Sequence, residues 1–142
     1  MKVCIIGGGI SGLMAAYRLR QKDKKVEIVI VDKGNSIENR KCLANNGMSC
    51  KHCKTCSITS GFAGAGAFSD GKFNIGTSYG GTLSEEIGEE TAMKYINLAD
   101  SVIDTFTPDN VNAEVFGTDE ELKRKCLQNN LQLLDMKHRM LE

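Results

Sequence analysis

The chain has no tryptophan, a single proline and two histidines. With so few imidazoles, acid–base catalysis has little to draw on. His52 falls inside a cysteine-rich stretch and His138 lies near the chain end. Net charge is missing as well: 18 basic and 18 acidic side chains cancel. That balance excludes a general nucleic-acid binder. No apolar run approaches the ~18 residues of a membrane span. Lys2 and the apolar residues after it superficially match a signal peptide, but three consecutive glycines and Arg18 interrupt the pattern. With 41% hydrophobic residues, the composition predicts one soluble, cytoplasmic domain large enough for a real core.

The information is concentrated at the start. Lys2, Val3, Cys4, Ile5 and Ile6 read as a short apolar strand, and Gly7, Gly8, Gly9, Ile10, Ser11 and Gly12 follow at once. A helical pattern covers residues 11–22, and a second apolar strand over 26–31 ends on Asp32. Strand, G-x-G-x-x-G, helix, strand and acid are the dinucleotide fingerprint in its required order. Gly7 permits a tight turn out of the strand. Gly9 keeps the backbone bare for a pyrophosphate, and Gly12 lets helix and strand pack closely. The helix start, with Ile10 and Ser11, offers unpaired N–H groups and a partial positive charge to a diphosphate. Asp32 is placed to accept hydrogen bonds from adenosine ribose hydroxyls, and its charge would repel a 2′-phosphate. The fingerprint alone does not separate FAD from NAD. The fold class expected is α/β: a Rossmann-like βαβ unit over 1–34 within an incomplete doubly wound sheet.

Residues 35–82 read as an irregular Cys/Gly-rich loop region, too long for a passive connection and therefore expected to form a site. From Lys33 to Cys56, five basic residues (Lys33, Arg40, Lys41, Lys51 and Lys54) stand against Glu38, and a positive region there suits a nearby phosphate. Cys50, Cys53 and Cys56 form C-x-x-C-x-x-C, with Cys42 upstream. This spacing points to metal or redox chemistry. The four thiols could hold an iron–sulfur cluster or a structural zinc, could be redox-active, or could be inert. Cys4 and Cys126 read as small core residues. A second run of small residues extends over 61–72. In it Gly64, Ala65 and Gly66 permit close backbone approach, Ser69 and Asp70 offer hydrogen bonds, and Lys72 offers a cation.

Residues 83–142 read as mostly helical. Ala92, Ile96, Ala99, Ile103 and Phe106 mark one apolar face of a helix over Glu89–Phe106, ended by Thr107 and Pro108. A short strand is expected at 114–116, a capping box at Thr118 opening a helix to about Asn130, and a final strand at 131–136. The acidic residues between 84 and 121 read as a solvated helical surface.

Together, Cys42, Cys50 to Ile58, and Gly61 to Asn74 resemble an uncharacterised prokaryotic family of FAD-dependent dehydrogenases, in which G-x-G-x-x-G, a cysteine cluster and a G-G-A-G-A-F-S-D-G-K segment recur. The resemblance implies a flavoprotein whose first βαβ unit holds the ADP half of FAD, through Gly7, Gly9, Gly12 and Asp32. It places residues 64–72 along the pyrophosphate or flavin. It further implies that this chain is an N-terminal portion, with the rest of the flavoprotein missing. Such a piece should expose a strand edge and apolar faces, dissolve poorly and bind FAD weakly. Ala63 stands where the family pattern has glycine. NAD(P)H is an expected electron donor, and no substrate is implied. Two other readings stay open: an NAD-dependent dehydrogenase, and a non-enzymatic module stabilised by metal at the cysteines.

Overall fold

The computed structural model describes residues 1–78, 80–134 and 136–141. The chain divides into two compact units, Met1–Ser69 and Asp70–Glu142. The boundary falls inside the second small-residue run, within the stretch read as one loop region.

The first unit opens with β1 (Lys2–Ile6), α1 (Ile10–Lys22) and β2 (Glu27–Val31). The two strands are parallel and in register, Lys2 opposite Glu27 through Ile6 opposite Val31. Parallel pairing requires a crossover, and α1 supplies it. Alternation along both strands turns Val3, Ile5, Ile28 and Ile30 inward. Leu13, Ala16 and Leu19 of α1 are half-buried. The opposite sheet face leaves Ile6 91%, Val31 51% and Val29 38% exposed. Cys4 lies on this face and is exposed. The expectation of a core cysteine fails there because the strand's two-residue period puts it with Lys2 and Ile6. After β2 come three short 3-10 turns, Ile37–Asn39, Leu43–Asn46 and Gly64–Phe68, joined by irregular backbone.

The second unit holds β3 (Phe73–Ile75), α2 (Leu83–Ile87), α3 (Glu89–Phe106), β4 (Val115–Phe116), α4 (Glu120–Gln128) and β5 (Lys137–Arg139). β5 lies between β3 and β4 and is antiparallel to both. The strand expected at 131–136 is absent from its described residues (Asp135 lies outside them). β5 begins just after, where Lys137 pairs with Ile75. β3 escaped the sequence reading because three residues are too few to show a period. The cap of α4 is Asp119, whose carboxylate accepts the Leu122 N–H at 2.9 Å. Thr118 Oγ1 instead accepts the Met136 N–H at 3.1 Å.

In α3, Ala92 and Val102 are buried, whereas Phe106, at the last residue of the helix, is 65% exposed. A periodic stripe marks a face but not how far along the axis the covering layer reaches. The acidic surface is not uniformly solvated. Asp100 accepts Arg139 Nε and Nη2 at 2.7 and 2.9 Å, and Asp104 accepts Nη1 at 2.9 Å. Both carboxylates hold the Arg139 guanidinium in its charged form, the Asp100 hydrogen bonds most strongly. Among the described residues only Val26, Ala92 and Val102 are buried hydrophobic side chains. The real core expected of a single domain is therefore thin. Division into two units raises the surface each must cover.

Candidate nucleotide site

Gly7 leaves β1 at φ +104°, a conformation that L side chains rarely adopt, and its N–H donates to the Val31 carbonyl at 2.7 Å. The turn is thus tied to the end of β2. At Gly12 the constraint is contact: a Cβ there would lie 2.0 Å from the Gly7 carbonyl oxygen and 3.3 Å from Ile5 Cγ2. Only glycine lets α1 approach this closely. Gly9 is the opposite case. A Cβ on it would meet nothing within 4 Å, so its bare backbone borders open space.

That space is a cavity of about 430 Å³. Gly7, Gly9, Ile10, Ser11 and Gly12 form one wall, and Ala63, Gly64, Ala65 and Gly66 form another. The two glycine-rich stretches, more than 50 residues apart in the chain, meet here. The Ala63 N–H donates to the Gly8 carbonyl at 2.8 Å, and a Cβ on Gly64 would sit 3.2 Å from Gly9 Cα. α1 enters the cavity without a side-chain cap and without an acidic residue in its first turn. Its first-turn N–H groups have no intrahelical partner, and the helix dipole adds partial positive charge. An open cavity, bare backbone and uncapped N–H groups fit a diphosphate.

Asp32 is joined to the same turn. Its Oδ2 accepts the Gly8 N–H at 2.8 Å and its Oδ1 the Gly34 N–H at 2.8 Å. These two bonds hold its carboxyl below the usual carboxylate range; partial desolvation opposes them, and the Gly61 N–H and Lys33 assist. Each oxygen has a second lone-pair position, so anchoring does not exhaust its capacity to accept ribose hydroxyls. A folded-state value below the unfolded one stabilises the protein above the ordinary carboxylate pKa of about 3.9, and that contribution is lost as pH falls through the lower value. Asp32→Asn is therefore expected to be less stable than the parent at pH 7, with the gap closing below about pH 4. Urea midpoints at the two pH values check this; a gap independent of pH would sink it.

Of the remaining candidates, Lys33 is exposed beside Asp32. Ser69 is exposed at the end of the first unit and is not part of the wall. Asp70 and Lys72 fall in the second unit, where the Lys72 N–H donates to Asp70 Oδ1 at 3.3 Å.

Two residues behind or in the second wall carried no sequence signal as such. Arg40, read as one cation of a positive surface, is only 5% exposed. Its Nε, Nη1 and Nη2 donate to the carbonyls of Ser57, Phe62 and Ile58 at 2.9, 2.6 and 2.6 Å. Its guanidinium lies 4.7 Å from the Phe68 ring centroid. Arg40 thereby fixes the segment that delivers residues 63–66 to the cavity. Ala63, noticed only as a departure from glycine, adopts φ +66°, ψ 0°. The left-handed region costs a non-glycine residue roughly 1–2 kcal/mol, against roughly 0.5–1 kcal/mol of extra chain entropy for glycine. Ala63→Gly should raise stability by about 0.5–1 kcal/mol. Thermal unfolding tests it, and a lowered midpoint would contradict it.

The fourfold thiol set lies elsewhere in the first unit. Cys42, Cys50, Cys53 and Cys56 line one cavity of about 210 Å³. All are free; Cys50 and Cys53 are exposed, Cys42 and Cys56 half-buried. The N–H groups of Thr59 and Ile58, the Thr59 hydroxyl and the Arg40 charge hold the Cys56 thiol below its ordinary range, against partial desolvation. Yet among the described residues no three His, Cys, Asp or Glu side chains come together as a ligand shell. A zinc or cluster shell needs sulfurs about 2.3 Å from a shared metal. The cysteine spacing brings these thiols to one cavity without closing such a shell, so the arrangement does not fit the expected iron–sulfur or zinc centre.

Residues 5–61 match the family model of the NAD(P)-binding Rossmann-like domain. The span covers the last two residues of β1, all of α1 and β2, Asp32 and the cysteine stretch. The α/β fold with a parallel sheet is that of a Rossmann-like nucleotide-binding domain. Domains of this kind carry nucleotide cofactors of oxidoreductases. No curated protein and no solved structure matches the chain. Among the described residues no helix is long and apolar enough to cross a membrane.

Proposed function

We propose that the first unit binds the ADP half of FAD as the N-terminal portion of a longer FAD-dependent oxidoreductase. One observation carries the reading: the fingerprint turn and residues 63–66 enclose a common cavity, with an uncapped helix start on one side and small residues on the other. The resemblance of both stretches to FAD-dependent dehydrogenases favours FAD over a free nicotinamide nucleotide. In this role the N–H groups at the start of α1 bind the pyrophosphate, and Asp32 orients the ribose. Gly64 to Gly66 cover the dinucleotide without side-chain bulk. Bound FAD would supply hydride or single-electron chemistry. The apolar sheet face of Ile6, Val29 and Val31 is consistent with further sequence packing there in the whole protein.

The matched family is that of the NAD(P)-binding Rossmann-like domain, which supports a second reading with NADH as the ligand. Titration of the protein with FAD, NADH and NADPH, read by flavin or nicotinamide fluorescence, separates the two. The expected order is FAD first, NADH second and NADPH weakest, because Asp32 opposes a 2′-phosphate. For the isolated chain, substoichiometric FAD binding is expected. Saturable NADH binding with FAD ignored would replace the proposal by the second reading.

A further inference from the structure

We propose that Cys53 and Cys56 form a dithiol–disulfide couple that exchanges with an anionic low-molecular-weight disulfide in the thiol-lined cavity. The arrangement differs in kind from a metal centre. Four free thiols share one cavity of about 210 Å³, but no three of them converge as ligands. The space beside them suits a small substrate better than an ion. Lys41 and Lys51 line the same cavity and supply the charge that recognises a carboxylate-bearing thiol carrier.

Exposure assigns the roles. Cys53 is exposed, in a stretch without helix or strand, so it can meet an incoming disulfide and then travel. Cys56 is half-buried, and the backbone just beyond it is fixed by Arg40 through the Ser57 and Ile58 carbonyls. A reachable outer thiol and a held inner thiol, separated as C-x-x-C, are the parts of a redox pair. The Cys53 thiolate attacks one sulfur of R–S–S–R, forming a mixed disulfide and releasing R–S⁻. The Cys56 thiolate then attacks Cys53 Sγ, releasing the second R–S⁻ and closing the Cys53–Cys56 bond. Two protein thiols are oxidised, one external disulfide is reduced to two thiols, and the two protons lost by Cys53 and Cys56 pass through solvent to the released R–S⁻ groups. No step involves the nucleotide cavity, so the inference stands or falls independently of the cofactor.

The test uses the reduced full chain and glutathione disulfide. After incubation, remaining thiols are alkylated and the digest is mapped by mass spectrometry. The expected result is a Cys53–Cys56 disulfide with two glutathione thiols released per chain, while Cys4, exposed on the strand face, stays alkylated. Cys56→Ser should trap glutathione on Cys53, and Cys53→Ser should slow reaction at Cys56 at least tenfold. The wild-type map decides even where a variant misfolds. Adducts spread evenly over Cys4, Cys50 and Cys53 would overturn the inference. So would a reduced chain that takes up one equivalent of zinc and becomes inert to the disulfide.

Discussion

Arg40→Ala is expected to destabilise the first unit by about 3 kcal/mol or more and to abolish nucleotide binding with it. The side chain is buried and donates to three carbonyls at 2.6 to 2.9 Å. Removing the guanidinium leaves the carbonyls of Ser57, Ile58 and Phe62 without that donor, and a buried unsatisfied group costs about 1–3 kcal/mol. It also leaves a void against Phe68, which the cation now covers. Few apolar side chains are buried in this unit, so little else compensates. Lysine will not rescue the variant, because a single ammonium cannot match three divergent acceptors as a planar fork does. Hydrogen exchange gives the local readout: protection of the Phe62 and Ala63 amides, which bond to Asn35 and Gly8, should fall by about 100-fold, the equivalent of roughly 3 kcal/mol. Unchanged protection would show that Arg40 is not what holds residues 57–68.

Gly12→Ala and Gly9→Ala should behave oppositely, although each adds one methyl to the same fingerprint. At Gly12 the methyl carbon would start 2.0 Å from a backbone oxygen. Backbone cannot step aside cheaply, so α1 must withdraw from β1. Loss of several kcal/mol and of all nucleotide binding is expected, since overpacking alone commonly costs about 1–3 kcal/mol even where side chains can shift. At Gly9 the methyl meets no protein atom within 4 Å, and φ is already −72°. Folding should be unaffected, to within about 0.5 kcal/mol. The added group borders the cavity, however, and should weaken binding of ADP or FAD by at least about tenfold, or 1.4 kcal/mol. Urea unfolding together with ligand titration separates the two effects. A Gly9→Ala variant that binds as tightly as the parent would mean that the bare backbone at this turn serves no ligand.

The βαβ unit was legible because each of its signals is local. A five-residue apolar strand, a glycine turn and a helix of ordinary length announce themselves within a few residues, and observed bounds depart from the expected ones by a single residue. α3 was legible for the same reason, since its eighteen residues give five turns of pattern. β3 and α2 were missed at three and five residues, below the length at which any period can be counted. The cap of α4 was displaced by one position because Thr118 and Asp119 are both good caps. Only the position of Met136 in space decided which oxygen faced the helix.

The candidate site divides along the same line. Residue type and spacing alone determined the fingerprint, its need for glycine at positions 7 and 12, and the acid at the end of β2. These depend on φ angles and contacts within a single βαβ unit, which the sequence order itself enforces. Tertiary structure decided that residues 63–66 close the cavity, that Asp32 is anchored on Gly8 and Gly34, and that four cysteines gather without forming a ligand shell. It also turned Arg40 from an anticipated surface cation into a buried clamp. Each of these rests on contacts between segments remote in the chain, and no local pattern encodes which distant carbonyls a guanidinium will meet.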